Sequence, residues 1–478
     1  MDTVTAARMF DQAYVDGRFV TPHGSQVIDL VNPTRNEVIG KVTLADEIDT
    51  RSAVAAAKRA FKSFSRTTPQ ERMDFLQRLH QAVSRRMDDL VQATVLEYGA
   101  PQARAKGSNE LAANIFLHFK QVLGEFAFAT IAGRSTVVYE PLGVVGVFTP
   151  WNSSAGSIAI KVAPAIAAGC TVVVKPSEMS AMQTQVLMEA FHEAGLPAGV
   201  VNFVTGLGEI VGAELTRSPD VAKIAFTGST PIGKLVAKSS LDTMKRFTLE
   251  LGGKSANIIL DDADFSKAIP MAVNACFLNN GQACIAASRL LVPENRLDEV
   301  KRLIVAAVEN IKVGDPADPA VTIGPAASRK QYERVQDYIR SGIDEGAELV
   351  IGGLGHPEGL ERGNFVRPTV FARVGQDMKI AREEIFGPVL SVLTYRTEAE
   401  AIEMANASEY GLMAYVSSSD PERANRVARS LEAGRVLINT LSHDPLAPFG
   451  GFKQSGVGRE GGVFGLREFL EPKAIITD

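Results

Sequence analysis

The chain has 478 residues, 45% of them hydrophobic and 22% charged, with a formal charge of −5 and a pI near 5.9. That length exceeds what one core normally supports, so two or three domains are expected. Lys and Arg are scattered among Asp and Glu with no basic stripe to track phosphates, which argues against nucleic acid and anionic membrane as partners.

Residues 1–12 carry Asp2, Arg8 and Asp11 and no apolar run, so no signal peptide is expected and a cytoplasmic location follows. Alternation over 27–42 around Asn32-Pro33 and Asn36 predicts a short hairpin, and helical periodicity takes over at 49–64. A second helix is signalled by Thr68 as N-cap, Pro69 at the first position and Glu71 closing a capping box. Gly99 and Pro101 end that helical region, and 111–126 is again helical, with Ile115, Phe116, Phe119, Val122 and Leu123 on one side. The uncharged run 162–174 is shorter than the roughly 20 residues a membrane span needs; with Pro164 and Gly169 it predicts a helix end running into a strand.

From residue 136 onward, short β-branched runs alternate with helices. Strands are expected at 144–148, 171–174, 200–203, 221–226 and 247–251, and in a second series at 256–260, 369–374, 389–395, 414–418 and 436–439. Such alternation predicts an α/β fold with parallel sheets covered on both faces. Two Gly-bearing turns, Thr205-Gly206-Leu207-Gly208 and Thr227-Gly228-Ser229-Thr230-Pro231-Ile232-Gly233, could offer backbone N–H groups to phosphate oxygens. Neither is the Gly-x-Gly-x-x-Gly fingerprint, so a plain tight turn is the other reading. The stretch 352–363 is expected to be a surface loop, and 448–460 a shaped loop too irregular for an element.

Among these segments, 279–289 sets a single thiol, Cys284, in a Gly, Asn and Gln loop after an apolar helical run at 268–278. It is readable as a nucleophile or as a small buried hydrophobe. Cys170 and Cys276 sit in apolar runs and are expected in the core. None of the three cysteines lies in a Cys-x-x-Cys pair and the six His residues show no His-Glu-x-x-His pattern, so no metal is predicted.

Taken together the chain resembles the aldehyde dehydrogenase superfamily along nearly its whole length. The residues carrying the resemblance are Pro150-Trp151-Asn152, Lys175-Pro176-Ser177-Glu178, Phe226-Thr227-Gly228-Ser229, Leu249-Glu250-Leu251-Gly252-Gly253-Lys254, Gly281-Gln282-Ala283-Cys284, Glu383-Glu384-Ile385-Phe386-Gly387-Pro388 and Pro448-Phe449-Gly450-Gly451. The resemblance implies Cys284 as nucleophile, Glu250 as general base and Asn152 as oxyanion donor. It implies cofactor contacts from Trp151, Lys175, Glu178, Gly228, Ser229, Gly233, Glu384 and Phe386, and a proton relay through Lys161 and Glu460. Read without it, Glu250 is a solvated strand-end charge, Asn152 a turn former, Glu384 a solvated neighbour of Glu383, Phe386 core packing, and Lys161 with Glu460 a surface ion pair.

The family fold implies a Rossmann-like coenzyme-binding domain from 1–122 and 142–250, and a second α/β catalytic domain at 251–440 with a closing loop at 441–467. A small β-ribbon from 123–141 and 468–478 would join subunits in a homodimer or homotetramer. The implied reaction is oxidation of a small-molecule aldehyde to its acid. Glu178 would accept from a ribose 2′-OH and repel a 2′-phosphate, which favours NAD over NADP, although Ser177 could help seat the phosphate. Ser153-Ser154-Ala155-Gly156 stand where many relatives carry larger side chains, and His443 and Asp444 where relatives contact the substrate tail, so a polar tail fits, with a surface loop the simpler reading of the latter pair. No arginine falls in these two segments, which disfavours a semialdehyde with a distal carboxylate. A CoA-acylating semialdehyde dehydrogenase and a non-catalytic homologue stay open as alternatives.

Overall fold

Strands whose every residue is apolar or hydrogen-bonded have no face to give to water, and here they become the centres of two sheets. In the computed structural model, which describes residues 8–477, Val144–Phe148 and Thr171–Lys175 are buried along their whole length. They lie inside a parallel set in the order Arg246–Glu250, Val221–Thr227, Val144–Phe148, Thr171–Lys175, Val201–Phe203. The antiparallel strands Ala13–Val15 and Arg18–Val20 extend one edge, and Gly456–Val457 closes the other. The chain runs outward from Val144–Phe148 to one side, then returns to build the other side from Val221–Thr227. The carboxyl ends of these two neighbours therefore diverge into a crevice, the usual ligand position in an open α/β sheet.

The second sheet runs Thr369–Ala372, Val389–Tyr395, Arg289–Pro293, Ala256–Ile259, Met413–Ser417, Arg435–Ile438, all parallel, with Glu348–Ile351 antiparallel at one edge. A third, antiparallel sheet joins Ala129–Ala132, Ser135–Pro141 and Leu470–Ile475. A fourth holds the expected hairpin, Val27–Asn32 with Glu37–Thr43, plus Arg8–Phe10.

Helix signals were legible. Thr68 caps Pro69–Arg85 with the full reciprocal box to Glu71, and the next helical stretch ends at Gly99 in the left-handed conformation (φ 81°). The helix Ser154–Ala168 runs through Pro164 and stops at Gly169 (φ 92°), so the glycine and not the proline ends it.

Three features differ from expectation. Arg289–Pro293 is a central strand, and Ala13–Val15 with Arg18–Val20 a hairpin, none of which the alternation had marked. The segment 448–460, expected to be irregular, supplies two short strands, Phe452–Lys453 against Tyr410–Gly411 and Gly456–Val457 against Arg246–Glu250. It pairs because a glycine lets backbones meet closely: a Cβ on Gly456 would stand 2.1 Å from the Leu249 carbonyl oxygen. The leader expectation over 1–12 lies, for residues 1–7, outside the described residues, as does Asp478 of the tail. No helix among the described residues is long and apolar enough to cross a membrane, and no group of His, Cys, Asp or Glu among them could hold a metal ion.

Candidate active site

The helix Phe265–Phe277 hands over to three consecutive left-handed residues, Asn279 (φ 57°), Asn280 (φ 60°) and Gly281 (φ 71°). Asn is among the few side chains that tolerate this region, and such residues usually cost on the order of 1–3 kcal/mol unless their surroundings hold them. The surroundings do. Asn280 bonds the Gly99 and Pro325 carbonyls through Nδ2 and receives Gly324 N–H at 2.8 Å; Gln282 Oε1 receives Ala327 N–H at 2.9 Å; the Tyr98 hydroxyl donates to the Asn279 carbonyl at 3.0 Å. A Cβ on Gly281 would fall 2.2 Å from Gly387 carbon, so the turn lies directly on the 384–388 loop. Downstream, buried Arg289 ties the exit of the loop to the carbonyls of Lys254, Met404 and Ala405. Cys284 is thereby held half-buried on a rigid bend, while Cys170 and Cys276 are fully buried, as expected.

Asn152, in the turn after Val144–Phe148, donates from Nδ2 to the Gln282 carbonyl at 2.9 Å, and Asn279 Nδ2 donates to the Asn152 carbonyl at 3.0 Å. Its amide keeps a second N–H. Glu250 ends the strand Arg246–Glu250 and is 3% exposed, with neither carboxylate oxygen hydrogen-bonded among the described residues. The solvated reading of Glu250 is therefore overturned. A Cβ on Gly450 would stand 2.7 Å from its Oε1, so the 448–460 loop roofs it. Burial, reinforced by the charge of Glu460, raises its pKa well above the usual carboxylate range. Burial, then the fields of Glu384 and Glu250, pushes the Cys284 thiol up to about 12.

Lys161 and Glu460 form a buried pair, Nζ to Oε1 2.6 Å, with Nζ also 2.5 Å from Thr227 Oγ1, so the surface ion-pair reading fails. Glu384 turns away from Glu383, which instead receives the Tyr338 hydroxyl. Its Oε1 accepts from Gly253 N–H at 3.0 Å and burial pushes its pKa up to about 7. Phe386 adopts φ 61° and sets its ring edge-on to Trp151 at 5.5 Å; Trp151 in turn lies 5.8 Å from Tyr98.

The remaining residues expected at a cofactor gather at the carboxyl ends of the first sheet. Lys175 Nζ donates to the Pro176 carbonyl at 2.9 Å and lies 3.4 Å from Glu178. Ser177 Oγ is occupied, accepting from Met179 N–H. Gly228 N–H donates to the Glu250 carbonyl at 3.0 Å, which links this group to the end of the strand that carries Glu250. Ser229 is exposed at the N-cap of Thr230–Ser240, and no side chain caps that helix. Gly233 is buried, and a Cβ there would strike Leu251 at 2.3 Å; its smallness serves helix packing.

Sequence reasoning missed the supports: Asn279, Asn280, Gln282, Tyr98, Arg289 and Gly253. The run Asn279-Asn280-Gly281 was the available signal, because three residues tolerant of positive φ after a helix predict a left-handed turn.

Residues 19–475 match the model of the Aldehyde dehydrogenase family. The chain belongs to this family. Among similar proteins, this aldehyde dehydrogenase is 47% identical over 471 residues to a 3-succinoylsemialdehyde-pyridine dehydrogenase from a Pseudomonas species, covering 98% of this chain and 99% of that one. A crystal structure of an alanine-for-cysteine mutant of aldehyde dehydrogenase C from Pseudomonas syringae, with NAD+ and octanal, superposes with TM-score 0.96 at 45% identity over 99% of this chain and 97% of that one. An aldehyde dehydrogenase from Mycobacterium tuberculosis with NAD+ gives TM-score 0.96 at 39% identity over 99% of both chains.

Proposed function

We propose that the chain oxidises an aldehyde to its carboxylic acid with NAD, using Cys284 as nucleophile, Asn152 as oxyanion donor and Glu250 as base. The observation that carries this reading is Glu250: a carboxylate with both oxygens buried and unpartnered, close enough to Cys284 to raise its pKa. A buried polar group without partners is costly, and here it faces the one cysteine that is not sealed in the core.

The donor set suits a dinucleotide. The uncapped N-terminus of Thr230–Ser240 and the orphaned, buried hydroxyl of Thr230 suit phosphate oxygens. Lys175 and Glu178 suit ribose hydroxyls, and the negative charge of Glu178 beside them supports NAD over NADP. Trp151 and Phe386 would flank the nicotinamide end. Bound NAD+ supplies a hydride acceptor.

Cys284 Sγ bonds to the aldehyde carbon as its proton passes to an ionised Glu250, and the carbonyl oxygen becomes an alkoxide held by the free Asn152 N–H and the Cys284 backbone N–H. Collapse of the alkoxide expels hydride and leaves a thioester on Cys284. Glu250, ionised again once the thiol proton has left it through Glu460 and Lys161, takes a proton from water as that water adds to the thioester carbon; the C–S bond breaks, Cys284 recovers a proton and the acid leaves. Glu460 and Lys161, buried together behind Glu250, pass the proton outward.

On the same reading the first sheet is the coenzyme-binding domain, the second the catalytic domain, and the third the subunit-bridging ribbon of a homo-oligomeric cytoplasmic enzyme. Ile131 and Ile475 of the third sheet, and Ile476 just beyond it, stand 74%, 46% and 69% exposed and support that last role. The test is a panel of aldehydes with NAD and with NADP, following NADH formation and identifying the product. Free acid is expected; acyl-CoA formed only with CoA present would favour the acylating alternative, and no turnover of any aldehyde would remove the enzyme reading.

A further inference from the structure

The helix Gln102–Glu125 packs against Ser154–Ala168 and carries four basic side chains that the chemistry above does not use, among them Arg104 and His118. Arg104 is half-buried, and its one hydrogen bond among the described residues is a long 3.5 Å contact from Nε to Asn279 Oδ1. It enters no ion pair among those residues; burial lowers its pKa, and the Tyr98 phenol opposes that shift. Burial and the charges of Arg435 and Arg104 hold His443 below the ordinary imidazole value.

The other charges nearby are committed elsewhere. Arg435 bonds the carbonyls of Asp444, Ala447 and Pro448 and the ring of His443. Asp444 caps Leu446 N–H, and its field falls on Arg435 and His118. His118 Nδ1 is itself buried without a partner. Arg104 is thus a partly desolvated guanidinium with most of its five N–H donors unspent.

Its position relates it to the reaction. Asn279, which touches Arg104, also bonds the Asn152 carbonyl, and it lines a small cavity with Asn152, Ser153, Gly156 and Ser108. Ser108 lies one turn beyond Arg104 on the same helix face. The small side chains after Asn152 line that cavity, and Asn279 on its wall is the residue that Arg104 touches. The unspent guanidinium donors remain open to a ligand, and a carboxylate matches the fork with two parallel hydrogen bonds.

We propose that Arg104 anchors the tail carboxylate of the substrate, so that the preferred aldehydes are ω-oxo acids. This rests on the Cys284 reading above and names the substrate class for that site. It also amends the expectation drawn from 153–156 and 443–444, because the arginine arrives from a distant helix.

The experiment compares 4-oxobutanoate, 5-oxopentanoate and 6-oxohexanoate with butanal, pentanal and hexanal, in the full chain and in Arg104→Ala and Arg104→Lys. The expected result is a higher kcat/KM for at least one oxo acid than for its alkanal. In Arg104→Ala the loss on that oxo acid should exceed the loss on the alkanal by roughly 10- to 100-fold, with partial recovery in Arg104→Lys. A second readout needs no turnover: Trp151 is the only tryptophan, so its fluorescence reports ligands beside Asn152. Glutarate should give a saturable change that glutaramide does not, and Arg104→Ala should abolish it. Oxidation of alkanals alone, equal losses on both classes, or no response to glutarate overturns the anchor while the dehydrogenase reading stands. Glutarate binding with no aldehyde oxidised supports the anchor and removes the dehydrogenase reading.

Discussion

Asn152 Nδ2 lies 2.9 Å from the carbonyl oxygen of Gln282, two residues before the cysteine it is expected to serve, and Asn279 Nδ2 reaches that same oxygen at 3.2 Å. One N–H of Asn152 is spent on holding its own orientation, and the other remains for a developing oxyanion. Preorganisation of this kind matters because the donor does not have to reorient as charge appears.

Asn152→Ala should therefore lower kcat by about 100- to 1000-fold, the usual loss for one oxyanion donor, with a smaller change in KM. Steady-state NADH formation checks it. A loss under tenfold would assign the amide to loop support alone.

Cys284 should react slowly with iodoacetamide at neutral pH in the absence of cofactor. Its pKa lies above the ordinary thiol value of 9.0, at about 12, so the thiolate fraction keeps growing past pH 9.0. The alkylation rate, followed by mass spectrometry with Cys284→Ala as control, should climb through that pH without levelling. A plateau near neutrality would contradict the buried, carboxylate-flanked thiol.

Glu250→Gln removes the acceptor of both the thiol proton and the water proton, so the first equivalent of NADH per site should form more slowly than in the parent and turnover should then stall, with deacylation slowed by about 100- to 10,000-fold. Because the native carboxyl is held above its usual range, deacylation in the parent enzyme should rise with pH through a midpoint higher than an ordinary glutamate's. Normal turnover in the variant takes the base role away from Glu250.

Lys254 is 1% exposed, its Nζ has no partner among the described residues, and burial pushes its pKa down to about 7 from 10.5. Between those values the unfolded chain binds a proton that the folded chain does not, so this residue's contribution to stability rises with pH across that window. Urea unfolding of Lys254→Met should show a shallower rise with pH than the parent. Equal pH slopes would mean that Lys254 keeps its proton when folded.

Much of the architecture was legible because its signals are local. Thr68 with Pro69 and Glu71 specifies a helix start within one turn, and the apolar strand 144–148 and the largely apolar strand 389–395 admit few other fates. The strand Arg289–Pro293 was not legible, since it follows the cysteine loop without a break in composition and is defined by its partners Ala256–Ile259 and Val389–Tyr395. Two strands of the 448–460 loop escaped for the same reason: two-residue pairings leave no periodicity.

By itself the sequence determined the family, the candidate nucleophile and the order of the α/β elements, because colinear motifs and local periodicity need no third dimension. Tertiary structure decided the states and partners of those groups. It buried Glu250 without a hydrogen-bond partner among the described residues, joined Lys161 to Glu460 across 299 positions, and turned Glu384 onto Gly253. It also brought Arg104 to Asn279, 175 residues away. Burial and long-range contact set pKa values and hydrogen bonds, and neither is encoded in any window of neighbouring residues.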